Sequence, residues 1–340
     1  MFSPDGNHAA LLDAGGVLAF DESKDFAAQK AQIRAKLLEL LGDEPERVPP
    51  DPVVEYEKDM GTFTERRIVF NVEKEVQAVC MLCIPKTGKK KYPLAIVLQG
   101  HGTGMHIGMG RNLYPGDHAE SGDRDIALQA LERGYAALCL EQRGMGERRT
   151  RMVWDENDNG EPRCHATALI ALMCGRTLIG ERVWDVSRAI DLALTYPEID
   201  PDRILCTGNS GGGTATYYAA CCDERIAVAM PSCAVCTFAS SIAAMPHCEC
   251  NYIPGIAKYM DMGDMAAAIA PRKLIVIHGV QDPIFPDNGV REAYRTIEAV
   301  YRAAGVPGNC ALASGGGAHR YYKKEAWEAF DRIVGWEKEV

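Results

Sequence analysis

The sequence lacks any concentration of positive charge and any long apolar run. Its 37 lysine and arginine residues are outnumbered by 47 aspartate and glutamate residues, and the formal net charge is −10. Without a basic patch, the chain is not expected to bind nucleic acid or an anionic membrane surface. A membrane-spanning helix needs about 18 or more consecutive apolar residues, and the sequence has no such stretch. The composition therefore predicts a soluble protein with neither nucleic acid nor a membrane as its partner.

The cysteines do not form the even-numbered set that is typical of secreted, disulfide-bonded proteins. The chain has 13 cysteines, and several occur in apolar segments where cysteine behaves as a small buried hydrophobe; these are Cys80, Cys83, Cys139 and Cys206. Residues 1–20 show no basic start followed by an apolar run, so no secretory signal is expected. We therefore predict a reducing, cytoplasmic location. The alternative is that a leader has been removed.

The chain divides into a short N-terminal part and a long main domain. Residues 23–42 carry an amphipathic pattern that predicts a helix ending at Gly42. A proline-rich stretch at 45–52 follows and has the composition of a linker. We therefore expect an N-terminal helical extension and linker over residues 1–60 and a main, catalytic domain over residues 61–340.

The main domain alternates strand patterns with helix patterns. Two segments at its start predict an antiparallel hairpin at the edge of a sheet, and the continuous apolar run of residues 92–98 predicts a strand buried on both faces. This order indicates an α/β fold with a mainly parallel central sheet and helices on both faces. Ligands of such sheets bind beyond the carboxyl ends of the strands. Functional residues should therefore come directly after strands.

One strand-to-helix junction carries a candidate nucleophile. The segment from Arg203 to Gly213 contains the pattern G-x-S-x-G, with Gly208 and Gly212 on either side of Ser210. In a nucleophile elbow, a sharp and strained turn exposes the serine hydroxyl, and the start of the following helix favours negative charge. The alternatives are an unreactive glycine-rich turn and a phosphate-binding loop. The phosphate loop requires a lysine after its last glycine, and no lysine follows here.

Two later residues complete the pattern expected of a hydrolytic triad. Asp282 follows the apolar strand of residues 273–279, and His319 follows the last predicted strand and three glycines. In a triad with this chain order, the histidine takes the serine proton and the aspartate orients the histidine. Singly, such an aspartate is most often a turn residue and such a histidine a surface residue. Together with Ser210, they are the predicted acid and base.

The negative oxygen of a tetrahedral intermediate needs backbone donors beside the serine. We predict the N–H of Gly211 as one donor and an N–H of the loop at residues 99–103 as the other. Within that loop His101 is favoured over Gly102. The alternative is that the loop is only a flexible glycine-rich connection.

Four further residues are candidate substrate contacts: Gly102, Arg143, Trp154 and Phe285. Trp154 lies in the long polar stretch that is expected to form the rim of the pocket, and Phe285 follows Asp282 closely. Arg143 could orient a substrate oxygen or carboxylate. A structural ion pair with Glu141 or Glu147 is the alternative role, and we favour it.

Cysteine and histidine spacing also permits a zinc site. The segments that carry this spacing are Cys80-x-x-Cys83, Cys233-x-x-Cys236 and His247-Cys248-x-Cys250, and the lone candidates are His101 and His106. The first pair, however, lies in a strand, where its two side chains point to opposite faces. The second group lacks another standard pair. We therefore expect buried or unpaired thiols, no metal and no cofactor, since a triad needs none.

Several longer segments carry a family resemblance: Gly180-Glu-Arg-Val-Trp-Asp through Ala189-Ile-Asp, Pro197-Glu-Ile-Asp-Pro-Asp-Arg-Ile, the GNSGGG elbow, Cys250-Asn-Tyr-Ile-Pro-Gly, Ala270-Pro-Arg-Lys and Asp282-Pro-Ile-Phe-Pro. With these, the sequence resembles the α/β-hydrolase superfamily over residues 60–340, and more closely its acetyl xylan esterase-like branch near the dienelactone hydrolases. The resemblance implies an α/β-hydrolase fold and ester hydrolysis, often of acetyl groups on sugars. Dienelactone hydrolases use a cysteine at the elbow, so Ser210 argues against lactone chemistry of that kind.

The sequence thus predicts a serine carboxylic ester hydrolase that forms an acyl-enzyme intermediate. Its expected substrates are short-chain, acetyl-type esters of sugars or similar small alcohols, with a small-molecule or oligosaccharide ester as the partner. Polymeric xylan is less expected, because polysaccharide esterases are often exported and no export signal is visible. The alternatives are a serine peptidase of related fold and a non-catalytic α/β-hydrolase scaffold.

Overall fold

The computed structural model describes residues 3–119, 121–150 and 162–336. Its strands form one sheet in the order β1-β2-β3-β5-β4-β6-β7-β8-β9. The strands are β1 (Val53–Asp59), β2 (Phe63–Glu73), β3 (Val76–Pro85), β4 (Tyr92–Leu98), β5 (Ala136–Leu140), β6 (Ile199–Asn209), β7 (Val228–Ser232), β8 (Lys273–Gly279) and β9 (Cys310–Gly315). Pairing is antiparallel from β1 through β3 to β5 and parallel from β5 to β9. The predicted mainly parallel sheet is confirmed.

The parallel strands are buried because their sequences are continuous apolar segments. All residues of β4, β5 and β7 are buried, as expected for strands that are covered on both faces. The predicted hairpin is formed by β2 and β3. It does not lie at the very edge, because β1 pairs with the outer side of β2.

Helices flank the sheet. In the described parts of the chain the α-helices are α1 (Asp5–Asp13), α2 (Phe26–Leu41), α3 (Ile126–Glu132), α4 (Cys164–Met173), α5 (Leu178–Ala193), α6 (Gly211–Cys222), α7 (Met262–Ile269), α8 (Asp287–Ala303) and α9 (Lys323–Ile333). Helices α5 and α6 pack on each other and on the sheet, while α3 packs on β3 to β5 and α9 on β8 and β9. Among these described helices, none combines the length and the apolar character needed to cross a bilayer.

The N-terminal part of the chain packs closely against the rest. Helix α2 begins with a cap in which the Asp25 carboxylate accepts the N–H of Ala28, and it packs on α7. Its buried residues Ile33, Leu37 and Leu41 belong to the main hydrophobic core. Strand β1 also precedes residue 60. The division predicted at that residue stays a prediction, although both elements join the body of the fold.

Sequence patterning did not reveal β1 because none of its side chains is buried. A strand at the edge of a sheet with two solvated faces has no alternation of apolar and polar residues to detect. Helix α7 was also missed, since its eight residues are short for a helical period. Its start is nevertheless fixed by a reciprocal capping box between Asp261 and Asp264.

Candidate active site

Ser210 lies at a sharp turn between β6 and α6. Its backbone adopts φ 55° and ψ −122°, a conformation that residues with side chains rarely adopt and that costs free energy to maintain. The turn is held by a 2.8 Å hydrogen bond from the Ser210 N–H to the carbonyl of Ser232. A Cβ at Gly208 or Gly212 would lie 2.4 or 2.0 Å from the carbonyl oxygen of Leu98. Only glycine at these two positions lets the elbow pack this closely against β4.

His319 and Asp282 form a hydrogen-bonded pair. His319 Nδ1 lies 2.7 Å from Asp282 Oδ2, and the Asp282 side chain is fully buried. The other carboxylate oxygen, Oδ1, accepts the N–H groups of Ile284 and Phe285 at 2.8 and 3.2 Å. Burial acts to raise the pKa of Asp282, but His319 and these backbone donors outweigh it and lower the pKa below its ordinary value. Asp282 therefore remains ionised and holds His319 with Nδ1 as the donor.

Ser210 and His319 line the same cavity, whose volume is about 90 Å³. Its other lining residues are Gln99, Gly100, His101, Ile107, Arg124, Ile126 and Asn209. A Cβ on Gly100 would lie 3.4 Å from the Ser210 Cβ, so the loop after β4 lies directly against the elbow. The structure thus brings the predicted nucleophile, base and oxyanion loop to one space at the carboxyl end of the sheet.

Two larger depressions lie elsewhere on the described surface. One, of about 530 Å³, is bounded by α2, α5 and the segment after α6. The other, of about 910 Å³, lies between α1 and residues 239–252. Neither is lined by Ser210, Asp282 or His319. The chemistry of the lining residues, and not the size of the cavity, therefore identifies the candidate site.

A buried glutamate holds the predicted oxyanion loop. Glu141, which follows β5, accepts the side-chain N–H of Gln99 at 2.8 Å and the backbone N–H of Met105 at 3.1 Å. Its carboxylate thereby ties together the two ends of the loop that contains His101. Burial raises the pKa of Glu141 to about 7. Sequence reasoning treated Glu141 only as a partner for Arg143; its position directly after a strand was the available signal.

A second carboxylate fixes the segment that continues from this loop. Asp117 accepts hydrogen bonds from Thr103 Oγ1 at 2.5 Å, from His106 Nε2 at 2.9 Å and from the backbone N–H groups of Leu113 and Tyr114. Burial acts to raise the pKa of Asp117, but these donors outweigh it and lower the pKa. His106, a candidate metal ligand by sequence, is therefore engaged with Asp117.

Phe285 packs against His319. The two rings are stacked, with centroids 6.0 Å apart and an interplanar angle of 16°. His247 contacts the same phenylalanine edge-on, at 5.3 Å between centroids. Phe285 is only 3% exposed and does not line the cavity of Ser210. The substrate-contacting wall at Phe285 stays a prediction, and the packing of this ring supports a role in positioning His319.

Arg143 is engaged in a buried ion network. Its guanidinium lies 2.9 Å from Asp185 and 3.5 Å from Glu181, and it also pairs with Glu73. The predicted partners Glu141 and Glu147 are not the ones it uses. Carboxylates already surround this cation, so the structure favours the scaffold role over the substrate contact.

For the remaining two candidates, Gly102 and Trp154, contact with the substrate stays a prediction. Gly102 lies in the predicted oxyanion loop, where an added Cβ would come within 3.3 Å of the Ile107 side chain. Trp154 lies outside the described residues.

A cluster of thiols lies around the ring of His101. The His101 ring lies against Gly211, where a Cβ would come within 2.6 Å of it, and its Nε2 is 3.4 Å from Cys250 Sγ. Cys164 and Cys248 complete this set, which we call the thiol cluster (His101, Cys164, Cys248 and Cys250). A hydrogen bond from Cys248, together with nearby cations, lowers the pKa of Cys164 to about 4. The surroundings of Cys164 thus favour its thiolate form.

A second cysteine environment lies at the pair of His319 and Asp282. Cys233, directly after β7, has a ligand atom within 4.8 Å of those of Asp282 and His319. Its backbone is also left-handed, with φ 49°. Burial raises the pKa of Cys233 to about 12, so its thiol stays protonated beside Asp282.

Comparisons with known proteins agree with this architecture. A model of the family described as the Abhydrolase family matches residues 8–326. The Bacillus subtilis (strain 168) protein YtaP, assigned as a hydrolase, is 24% identical over 283 residues, which are 82% of this chain and 89% of YtaP.

Two solved structures extend the comparison. One, from Bacteroides fragilis NCTC 9343, is assigned as an acetyl xylan esterase; it superposes with a TM-score of 0.78 at 18% identity, over 96% of this chain and 84% of that chain. The other is a glucuronoyl esterase from Solibacter usitatus, with a TM-score of 0.69 at 16% identity, over 95% and 97% of the two chains. At such identities the likeness establishes the shared fold.

Proposed function

Because the chain belongs to the Abhydrolase family, we propose that it is a serine carboxylic ester hydrolase working through an acyl-enzyme intermediate. One observation carries the proposal: Ser210, on a strained turn, shares a cavity with a histidine that is paired with a buried, ionised aspartate. A glycine-rich turn without catalytic function would have no reason to maintain that strain. The named roles are Ser210 as nucleophile, His319 as base and Asp282 as the orienting acid.

The proposed reaction has two halves. In the first, Ser210 Oγ attacks the ester carbonyl carbon while His319 Nε2 accepts the hydroxyl proton. The tetrahedral intermediate collapses when the same proton passes to the departing alcohol, which leaves an acyl-serine. In the second half His319 takes a proton from water, hydroxide adds to the acyl carbon, and collapse returns the proton to Ser210 with release of the acid.

The electrostatics of the site favour this sequence. Asp282 stays ionised and stabilises the imidazolium that His319 becomes during each half. The negative oxygen of the intermediate is assigned to the backbone N–H groups of Gly211 and His101. The position of the His101 loop against the elbow supports this assignment, as does its fixation by Glu141.

We further propose that the acyl group is short, typically acetyl, and that the alcohol is a sugar or a similar small molecule. A cavity of about 90 Å³ beside Ser210 suits a small acyl group better than a long chain. The structural relatives assigned or named as acetyl xylan and glucuronoyl esterases support a carbohydrate ester. A cytoplasmic location remains a prediction of the sequence.

The test combines labelling with a substrate panel. A fluorophosphonate should modify Ser210, and p-nitrophenyl acetate should be cleaved faster than longer acyl esters. Ser210→Ala should abolish both, with a loss of turnover on the order of 10⁶, while Ser121→Ala, which alters an exposed serine, should change neither. Cleavage of aminoacyl amides in preference to esters would favour a peptidase. Failure of the probe to label a folded chain would favour a non-catalytic scaffold.

A further inference from the structure

The thiol cluster assembles four potential metal ligands from three distant segments. A ring nitrogen of His101 and the sulfur atoms of Cys164 and Cys248 all lie within 4.8 Å of one another. Cys250 Sγ is outside this mutually close set but lies 3.4 Å from His101 Nε2. Around a tetrahedral zinc ion, with bonds of about 2.3 Å to sulfur and 2.0 Å to nitrogen, neighbouring ligand atoms are roughly 3.4–3.8 Å apart. The three mutually close atoms lie within 4.8 Å of one another, and the sulfur of Cys250 has to move toward them to complete this geometry.

The packing of the chain holds these ligands in place. Cys164 begins α4, and this helix packs against the short turn Glu249–Asn251 that carries Cys250. Cys164 and Cys250 are 4% and 1% exposed. His101 is at the solvent-accessible side of the cluster. Cys164 and Cys250 thus form the buried side of the cluster, while Cys248 is half-buried and His101 is exposed.

A buried cation accompanies the thiols. Arg182 is 1% exposed, and its Nη2 lies 3.1 Å from Cys164 Sγ. Its other hydrogen bonds go to the carbonyl of Arg143, and its Nη1 has no hydrogen-bond partner. Within the described residues, no carboxylate forms an ion pair with Arg182. A buried guanidinium needs a compensating negative charge, and the cluster is where that charge can reside.

We propose that His101, Cys164, Cys248 and Cys250 bind a soft divalent cation, with Zn²⁺ as the preferred ion. One imidazole and three thiolates are an established ligand set for tetrahedral zinc. Three thiolates around Zn²⁺ leave a single net negative charge, and Arg182 supplies the matching positive charge against Cys164. All four positions are filled by protein atoms, so the ion has a structural role.

The ion would act on the proposed active site through His101. The backbone of this residue is in the loop that lies against Ser210, and its ring rests on Gly211. Coordination of the ring would add a second anchor to the loop that Glu141 already holds. His101 is then a positioning residue, which holds the backbone donors of the oxyanion hole in place.

The test is direct metal analysis of the full-length chain. The protein is expressed in zinc-supplemented medium, purified without chelators or a metal-affinity step, and measured by plasma mass spectrometry. About one zinc per chain is expected. The stripped protein should bind Co²⁺ alone at a ratio of one to one, with sulfur-to-cobalt charge-transfer absorption in the near ultraviolet and tetrahedral bands in the visible region. These readouts do not depend on ester cleavage, so they fail or succeed separately from the proposed function.

The zinc content of variants at the proposed ligands shows where the ion binds. Cys164→Ser and Cys250→Ser should each lose most of the bound zinc, whereas Cys174→Ser, which changes the exposed cysteine at the end of α4, should keep it. His101→Cys should retain the ion and increase the charge-transfer absorption, because it adds a fourth thiolate. If a core variant fails to fold, the Co²⁺ spectrum of the unmodified chain still decides. Absence of zinc together with no Co²⁺ binding, or a Cys164–Cys248 disulfide in the freshly isolated protein, would overturn the proposal.

Discussion

Two histidines line the cavity of Ser210, and their partners differ. His319 is backed by the carboxylate of Asp282 at 2.7 Å, whereas His101 is backed by the sulfur of Cys250 at 3.4 Å. A carboxylate partner fixes the ring and stabilises its protonated form, which suits a general base. Sulfur atoms beside a ring nitrogen offer several metal ligands within a short distance of one another, which suits metal coordination. We therefore assign His319 to proton transfer and His101 to positioning of the loop.

The largest expected difference is between His319→Gln and His101→Gln. We expect the first change to lower kcat/KM for p-nitrophenyl acetate by about 10⁴- to 10⁶-fold, because it removes the base. The second should lower it by about 100-fold or less, because the loop moves but the triad remains. Steady-state kinetics on both purified variants gives the ratio. Similar losses in the two variants would mean that the roles assigned here do not differ.

A smaller loss is expected when the partner of His319 loses its charge. Asp282→Asn keeps the size of the side chain but presents an amide to Nδ1, and it should lower kcat by about 10⁴-fold. Reaction with a fluorophosphonate should slow in parallel. Cys233→Ala changes the neighbouring thiol without touching the carboxylate and serves as the matched control. Nearly unchanged kcat in Asp282→Asn would exclude this aspartate as the orienting acid.

Replacing Glu141, the carboxylate that holds the loop containing His101, tests how far the position of this loop matters for catalysis. Glu141→Gln preserves an acceptor for Gln99 and Met105, so we expect a loss in kcat of about 10-fold with little change in KM. The effect of Glu141→Gln on the free energy of unfolding depends on pH. The pKa of Glu141 is raised to about 7, so the folded chain binds this proton more tightly than the unfolded chain does.

The stabilisation from that proton is present below about pH 4.5 and is lost as pH rises to about 7. Between pH 5 and 8 the unmodified protein should therefore lose up to about 3 kcal/mol of unfolding free energy relative to Glu141→Gln, at about 1.4 kcal/mol per pKa unit. Urea unfolding at both pH values measures the difference. An equal pH dependence in the two proteins would contradict the burial of an ionisable group at this position.

The smallest effect on kcat is expected for a change at Phe285, the ring that packs against His319. Phe285→Leu keeps an apolar contact but removes the stacked ring, and we expect kcat to fall by a few-fold with KM for short esters unchanged. If Phe285 contacted substrate instead, KM would change with the length of the acyl group. A panel from acetate to hexanoate separates these outcomes.

The local pattern around Ser210 was sufficient to predict its setting. The glycines at 208 and 212 follow from the close approach of the elbow to Leu98, and such constraints act within a few residues of chain. The order of Asp282 and His319 along the sequence matched the order of strands β8 and β9 in the sheet. The contacts of Arg143 with Asp185 and of Phe285 with His319 could not be predicted from the sequence, because these partners are distant along the chain.

The sequence by itself determined the alternation of strands and helices and the position of a serine elbow, because hydrophobic period and turn chemistry are encoded locally. Only the tertiary structure decided which cysteines meet. Cys248 and Cys250 had seemed to belong with Cys233 and Cys236, yet the packing of α4 against the turn at 249–251 brings them to Cys164 and His101 instead. That grouping depends on contacts between segments about 60 to 150 residues apart, which are fixed by how buried surfaces pack and leave no spacing to recognise along the chain.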